Sequence, residues 1–185
     1  MYAYAFVGYF DTETENGLKE VWNVLSEKQI SQYGVENEGK RPHITIADYN
    51  NLDKVRFMEE LDKFYEDKVK LEINLDILGT FMNSGTLFLA PTLSKDLVSF
   101  HKNHHTYFEK FKDDDNSFYL PGKWSPHCTI ASRLSKENML RAFEYCSDNL
   151  RKICGKISEV ALIEITLNEK GIAVKDDVIF IKKLK

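Results

Sequence analysis

Cysteine is scarce in this sequence. The three cysteines are an odd number, so they cannot all pair within one chain, and none of them lies in a CxxC spacing. Reduced thiols are the simplest interpretation of this pattern, and they are typical of a cytoplasmic protein. We therefore expect a cytoplasmic location.

Long hydrophobic runs are also missing. No apolar stretch is long enough to span a bilayer, so we expect no membrane partner. The N-terminal segment 1–10 is apolar, but it has no basic lead-in and no cleavage site. Its aromatic and β-favouring residues are typical of a strand rather than of a signal peptide.

The sequence has no excess of positive charge. Its 25 lysine and arginine residues against 29 acidic residues give a net charge of −4, which argues against binding long nucleic acid by bulk electrostatics. Small anionic ligands and the end of an RNA chain remain open. The 185 residues are enough for a substantial core and predict a single domain over 1–185.

No metal-binding motif is complete. His101, His104 and His105 have the spacing of one helix face, but no HExxH sequence is present. Polar Lys102 and Asn103 lie between these histidines. We interpret the segment as a solvated helix face and expect no metal site.

Hydrophobic periodicity alternates between strand and helix along the chain. Helices are predicted after residues that can cap an N-terminus, namely Asp11, Asn50 or Asn51, Ser94 and Ser135. The second helix is expected to bury Val55, Met58, Leu61 and Phe64 or Tyr65. Strands are predicted over 2–10, 43–48, 71–77, 86–90, 127–132, 156–167 and 171–184, with a hairpin turn at 168–171.

The strand and helix units occur in nearly the same order twice. This repeat predicts an α+β fold with two pseudo-symmetric sheet-and-helix lobes around a central cleft.

Two short stretches are near copies of each other: residues 41–47 read RPHITIA, and residues 125–131 read SPHCTIA. Side chains alternate between the faces of a strand, so His43 and Thr45 share one face of the first copy. His127 and Thr129 share one face of the second copy, and apolar residues back both pairs. We expect the two strands to face each other across a cleft and to bring two imidazoles and two hydroxyls onto one small anion.

Histidine suits acid–base chemistry on a phosphodiester because its ordinary pKa is about 6.5. One neutral and one protonated imidazole on opposite sides of a phosphorus can take a proton from the nucleophile and give one to the leaving oxygen. Threonine hydroxyls can donate to the phosphate oxygens. The alternative is that each histidine is structural and that each threonine reflects β propensity; the duplication of the pair favours a functional role.

Residues beside the motifs also suit an anionic ligand. Lys40 and Arg41 precede the first motif, and Lys123 and Trp124 precede the second. An aromatic ring near a cleft can stack on a base, and Tyr119 and Phe118 are further candidates. The lysines could instead be ordinary loop residues, and Trp124 could belong to the core.

The segments Pro42-His43-Ile44-Thr45-Ile46 and Pro126-His127-Cys128-Thr129-Ile130 resemble the paired His-x-Thr motifs of the 2H phosphoesterase superfamily. That family includes the bacterial 2′-5′ RNA ligase-like proteins and the RNA 2′,3′-cyclic phosphodiesterases. Chain length, duplicated halves and motif spacing are similar as well, so the resemblance covers essentially the whole chain.

The resemblance implies a bilobal fold and catalysis without a metal or other cofactor. It implies a partner that is a small nucleotide or an RNA end carrying a cyclic or 2′-linked phosphate. His43, Thr45, His127 and Thr129 are carried over as catalytic residues. Some members of the family have an arginine just after the second motif, which makes Arg133 a candidate for substrate binding.

Two functional hypotheses follow. The first is a phosphoesterase that opens a cyclic phosphodiester or cleaves a 2′-linked one. The alternative is a nucleotide- or RNA-end-binding module that has kept the phosphate pocket without turnover. The sequence leaves open which histidine is the base, which substrate is used, and whether the reaction runs as a hydrolase or a ligase.

Overall fold

The computed structural model describes residues 2–37, 39–169 and 173–185. Its seven strands are β1 (Tyr2–Phe10), β2 (His43–Tyr49), β3 (Leu71–Thr80), β4 (Leu87–Pro91), β5 (Cys128–Ala131), β6 (Ile153–Leu167) and β7 (Ala173–Lys183). Its four α-helices are α1 (Thr12–Glu27), α2 (Lys54–Tyr65), α3 (Lys95–Tyr107) and α4 (Lys136–Asn149). A short 3₁₀ helix, Glu109–Phe111, follows α3.

Side-chain caps fix where the helices begin. Asp11, Ser94 and Ser135 each accept a hydrogen bond from the backbone N–H three residues later, as the sequence predicted. The prediction for α2 was wrong: its cap is Asp53, which accepts from the Arg56 N–H.

The predicted buried face of α2 is right at Leu61 and Tyr65 and wrong at Val55. Val55 is 62% exposed, whereas Phe57 is fully buried and packs with Leu61 and Tyr65 in the core. Phe57 contributes because its ring meets Tyr49 from β2 and Phe108 after α3. The helical period was right, and Phe57, four residues before Leu61, takes the buried position that was predicted for Val55.

All described strands belong to one antiparallel sheet in the order β2-β1-β6-β3-β4-β5, with β7 paired to β6. The long strand β6 pairs with β3 through its first five residues and with β1 and β7 along the rest. Helices packed on this sheet confirm the predicted α+β class. The division into two lobes stays a prediction.

The two motif strands, β2 and β5, are the two ends of this strand order, and yet they contact each other. The sheet therefore curls until its ends meet. Strands in sheets twist with a fixed hand, and bulges increase that twist. This curvature is what brings the two His-x-Thr segments together.

Two clusters of apolar side chains lie on opposite faces of β1 and β6. The larger one packs Phe6 and Leu162 of these strands with residues of all four helices. The smaller one consists of Val7, Tyr9, Ala161 and Ile163. Alternation along the strands separates the two clusters.

Several other predictions concern single segments. The hairpin of β6 and β7 is confirmed, but its predicted turn includes residues 170 and 171, which lie outside the described residues. The histidines of α3 do not form a solvated face: His101 is 3% exposed and His104 is fully buried. Across the described ranges, none of the helices has the length and apolarity needed to cross a membrane.

Candidate active site

His43 begins β2, and its ring is fixed by the backbone just before it. The Nδ1 atom lies 2.8 Å from the carbonyl oxygen of Arg41. A carbonyl oxygen can only accept a hydrogen bond, so Nδ1 carries the proton and donates it. The lone pair of the neutral ring is therefore at Nε2, the nitrogen that can take or give a proton.

His127 directly precedes β5 and repeats this arrangement. Its Nδ1 atom lies 2.8 Å from the carbonyl oxygen of Ser125, which is also two residues earlier. The same argument places the lone pair at Nε2. Both copies of the motif thus hold their imidazole in the same tautomer by the same local contact.

The pKa of each imidazole is lowered. Burial lowers the pKa of His43, the bond to the Arg41 carbonyl opposes this, and nearby Lys40 and His127 lower it further. Burial also lowers the pKa of His127, again opposed by its carbonyl partner.

A β-bulge interrupts the pairing of both motif strands at the same position. In β2, Val7 pairs with Thr45 and Phe6 with Ala47, so Ile46 is the extra residue. In β5, Phe88 pairs with Thr129 and Leu87 with Ala131, so Ile130 is the extra residue. Bulges bend a strand and re-aim its side chains. Each one here directly follows a motif threonine.

Two tyrosines complete the motifs. The Tyr119 side chain is hydrogen-bonded to Thr45, and the Tyr33 side chain is hydrogen-bonded to Thr129. Burial raises the pKa of both phenols, so both remain protonated near neutral pH. Each hydroxyl pair has two hydrogens and uses one internally, which leaves one to donate to a ligand.

Sequence reasoning had singled out Tyr119 but missed Tyr33. Tyr33 lies ten residues before His43, and Tyr119 lies eight before His127. Extending the internal repeat upstream of the motifs would have drawn attention to Tyr33. The two tyrosines are equivalent in the structure because each serves the threonine of the opposite half.

Two adjoining cavities meet at these tyrosines. His43 and Thr45 line a cavity of about 590 Å³, and His127 and Thr129 line one of about 680 Å³. Tyr33 and Tyr119 line both. The structure thus brings the four motif side chains around a shared pair of phenols.

The two cavities differ in chemistry. The one at His43 has charged walls over an apolar floor, and the charged residues are Glu36, Lys40, Asp48, Arg133, Lys175 and Asp176. The one at His127 is more apolar, with Phe81, Met82 and Phe118 in its lining. Phe118 is 83% exposed and Met82 is 93% exposed. An asymmetric ligand would be oriented by this difference.

A family model for the 2′-5′ RNA ligase superfamily matches residues 19–169, which include both His-x-Thr motifs. The chain belongs to this superfamily. The match confirms the resemblance to the 2H phosphoesterases drawn from the two motifs, and it supports a general phosphoesterase activity. Comparison with curated protein sequences finds no match.

Solved structures of low sequence identity share the fold of this superfamily member. TT0787 of Thermus thermophilus matches with a TM-score of 0.64 and 15% identity, over 98% of this chain and 97% of that one. E. coli LigT in complex with 3′-AMP matches with a TM-score of 0.61 and 12% identity, over 98% and 96%. Both similarities extend over essentially the whole chain.

In this superfamily member, Arg41 is held by carboxylates. Its guanidinium donates to Glu15 at 2.7 and 2.9 Å, pairs with Glu159 at 2.9 Å and lies over the Tyr9 ring. Burial raises the pKa of Glu15, but hydrogen bonds from Arg41 and Lys19 lower it overall. Arg41 therefore anchors the start of β2 to α1 and β6, and its carbonyl in turn orients His43.

Lys40 and Arg133 lie at the charged cavity and share one acidic partner. Lys40 donates to the Tyr33 carbonyl at 3.0 Å and to Glu36 at 3.2 Å. Arg133 has a positive φ of 57° and pairs with Glu36. An anion entering here competes with Glu36 for two cations.

Lys123 and Trp124 are placed differently from each other. Lys123 is exposed, lines the apolar cavity and donates to the Asp115 carbonyl at 3.0 Å. The Trp124 ring stacks on His101 and donates through Nε1 to the Thr45 carbonyl at 2.9 Å. Trp124 thus supports the first motif strand from behind rather than standing free beside the cavity.

Among the described residues, no group of three or more His, Cys, Asp or Glu side chains could hold a metal ion. The three histidines of α3 have other partners. His104 contacts the hydroxyls of Tyr49 and Tyr65, while His101 and His105 contact main-chain carbonyls.

Proposed function

We propose that this protein is a phosphodiesterase that opens cyclic phosphates or cleaves 2′-linked ones at nucleotides or RNA ends. His43 and His127 act as an acid–base pair without a metal or other cofactor. The observation that carries the proposal is the identical fixing of two imidazoles on contacting strands, each with Nδ1–H donated to its own backbone and the lone pair at Nε2. Proton transfer by such groups typically contributes about 10²–10⁴-fold to the rate.

Hydrolysis of a 2′,3′-cyclic phosphate balances with these two groups. One neutral imidazole takes a proton from water as the water oxygen bonds to phosphorus. The bond from phosphorus to one ribose oxygen breaks, and that oxygen receives a proton from the other, protonated imidazole. The product is a phosphomonoester, and the two histidines have exchanged protonation states.

The protonated imidazole is formed when the anion binds. Both rings have lowered pKa values in the free protein, but a phosphate between them favours the charged form of a neighbouring imidazole. Donors from the Thr45–Tyr119 and Thr129–Tyr33 hydroxyl pairs stabilise the negative charge that grows on the non-bridging oxygens.

Superfamily membership and the ligands of a solved structural relative support the substrate class. E. coli LigT has been crystallised with 3′-AMP, NADP⁺, phosphate and ATP. In this chain we place the base on the apolar side at Phe81 and Phe118, where stacking contributes about 1–3 kcal/mol. The remaining polar part of the substrate lies on the side of Lys40 and Arg133.

Turnover of 2′,3′-cyclic nucleotides and 2′-5′-linked dinucleotides in EDTA tests the proposal. We expect hydrolysis in EDTA by the wild type, and a loss of about 10²–10⁴-fold in kcat/KM for His43→Ala and for His127→Ala. The double variant should lose little more than either single one, because the two groups act as a unit. Circular dichroism and thermal unfolding should show that the variants remain folded.

Three results would contradict the proposal. Retained turnover in either histidine variant would show that the two histidines are not the acid–base pair. Inhibition by a chelator would indicate a metal hydrolase. Tight binding of nucleotide with no turnover of any of these substrates would favour the alternative, a binding module that has kept the phosphate pocket.

A further inference from the structure

Helix α3 lies behind the first motif strand and directs two imidazoles at main-chain carbonyls of the site. Nε2 of His101 lies 2.7 Å from the Tyr119 carbonyl oxygen, and Nε2 of His105 lies 3.1 Å from the Ile46 carbonyl oxygen. Because a carbonyl can only accept, both Nε2 atoms carry a hydrogen and donate it. One contact reaches the residue next to Thr45, and the other reaches the tyrosine that is hydrogen-bonded to its hydroxyl.

The hydrogen bond from His105 gives the carbonyl oxygen of the bulged residue Ile46 a donor. Ile46 is the extra residue of β2, and an extra residue in a bulge is left out of the regular ladder. β2 is also the end strand of the sheet, so no further strand supplies a donor on its outer side. Ile46 itself is fully buried, and a buried carbonyl without a partner is costly.

His101 reaches Thr45 by two routes. Its ring stacks on Trp124, with centroids 3.9 Å apart and planes 5° from parallel, and the Trp124 indole N–H donates to the Thr45 carbonyl. Its Nε2 also holds the backbone of Tyr119, whose side chain is hydrogen-bonded to the Thr45 hydroxyl. His101 thus influences the position of Thr45 in two ways, through the Thr45 main-chain carbonyl and through the Thr45 hydroxyl.

We propose that His101 and His105 are positioning residues for the first half of the site, holding Thr45, Tyr119 and the bulge at Ile46 from behind. The proposal rests on the proposed function where its kinetic effect is concerned. Burial lowers the pKa of His101 to about 4 and also lowers that of His105. Both rings are therefore neutral N–H donors at neutral pH.

The second half of the site has a tryptophan in the corresponding place. Trp22 of α1 donates from its indole N–H to the Thr129 carbonyl at 3.3 Å. The chain contains two tryptophans, so each motif strand has one indole N–H as its own spectroscopic reporter. The Trp124 signal reports on Thr45, and the Trp22 signal serves as an internal control.

A pair of substitutions at His105 separates donation from packing. His105→Gln keeps an N–H donor at nearly the same reach, whereas His105→Leu fills the space without one. We expect kcat to fall tenfold or more in His105→Leu and to stay within about threefold of wild type in His105→Gln, since small misplacements of a catalytic group can cost up to about 10²-fold. KM should change less than kcat in both.

A second pair separates the two contributions of His101. His101→Phe keeps a ring to stack on Trp124 and removes the donor to Tyr119, and His101→Gln does the reverse. In His101→Gln the exchange of the Trp124 indole proton should accelerate, measured by ¹H–¹⁵N spectra, while the Trp22 signal stays at its wild-type position. In His101→Phe the Trp124 signal should be kept and kcat should fall.

His104→Gln is the matched control. His104 is on the same helix and fully buried, but its ring nitrogens contact the hydroxyls of Tyr49 and Tyr65 rather than a main-chain carbonyl of the motif or of Tyr119. This variant should lose stability while keeping the wild-type kcat and both indole signals below its unfolding temperature.

Other outcomes would overturn the positioning role. One is a wild-type kcat and an unchanged Trp124 signal in His105→Leu and in both His101 variants. Another is an equal loss of kcat in His104→Gln, which would show that general destabilisation accounts for the effect. If the wild type turns over no cyclic or 2′-linked phosphate, the proposed function fails, but the two indole signals still decide whether α3 positions the first motif strand.

Discussion

The indole N–H of Trp22, in the first half of the chain, donates to the main-chain carbonyl of Thr129 in the second. The reverse contact runs from Trp124 to the carbonyl of Thr45. Each motif strand is thus held by a tryptophan from the other half. Since β2 and β5 are the two ends of the sheet, these contacts help to keep the ends together.

Gly34→Ala tests the support from Trp22. A Cβ built at Gly34 would lie 2.2 Å from the Trp22 ring, so the ring must move. Forcing an extra carbon into a packed region typically costs about 1–3 kcal/mol. We expect a lower midpoint of thermal unfolding, a shifted Trp22 indole signal and a reduced kcat.

Gly17→Ala serves as the comparison for that experiment. Gly17 lies on α1 with open space around it, so alanine should stabilise the helix by up to about 1 kcal/mol. It should leave kcat and the Trp22 signal unchanged. A Gly34→Ala protein with wild-type stability and an unmoved Trp22 signal would show that the contact is dispensable.

The pH dependence of turnover follows from the pKa values of the two motif histidines. Burial lowers both pKa values in the free protein. The histidine that acts as the acid therefore loses its proton at a lower pH than an ordinary histidine does. We expect kcat/KM to decline on its alkaline side from below pH ~6.5. The pKa values read from the acid and alkaline sides of this profile describe the coupled pair of histidines rather than either residue alone.

The profile of kcat should lie at higher pH than that of kcat/KM. A bound phosphate anion favours the protonated imidazole, so the acid of the complex survives to higher pH. Initial rates across the acid, neutral and alkaline ranges, at low and at saturating substrate, measure the two profiles. Coincident profiles, or an alkaline limb of kcat/KM that lies above the ordinary pKa of histidine, would contradict the assigned environment of the rings.

Stability should fall with acid between pH ~6.5 and ~4. Burial lowers the pKa of His101 from 6.5 to about 4, and that of His104 is lowered well below 6.5. In this window the unfolded chain binds protons that the native protein does not, so unfolding is favoured as pH falls. The shift at His101 alone corresponds to roughly 3 kcal/mol.

Chemical denaturation at closely spaced pH values measures this effect. His104→Gln removes one titrating ring from the core, so its free energy of unfolding should vary less steeply with pH than that of the wild type. Carboxylates such as Glu15, whose pKa is lowered from its ordinary value of 4.5, begin to contribute at the acid end of this window, but they are the same in both proteins and do not affect the comparison. A wild-type stability that is flat across this window would contradict the buried, neutral state of these histidines.

Local features followed from the sequence alone. Asp11, Ser94 and Ser135 cap helices because their side chains accept from the nearby backbone, which depends on adjacent residues. The alternation around His43 and His127 predicted strands with apolar backing, and Ile44 and Cys128 are fully buried. Family membership followed from the repeated motif for the same reason: it is written in contiguous residues.

Only the tertiary structure decided what surrounds the motifs. The role of Tyr33, the carboxylate pair around Arg41 and the buried histidines of α3 depend on contacts between distant segments. His101 and His104 resemble surface residues by spacing and polarity, but Trp124, Tyr49 and Tyr65 cover them. Sequence periodicity reports which face of a helix is apolar, whereas long-range packing determines which polar rings find buried partners.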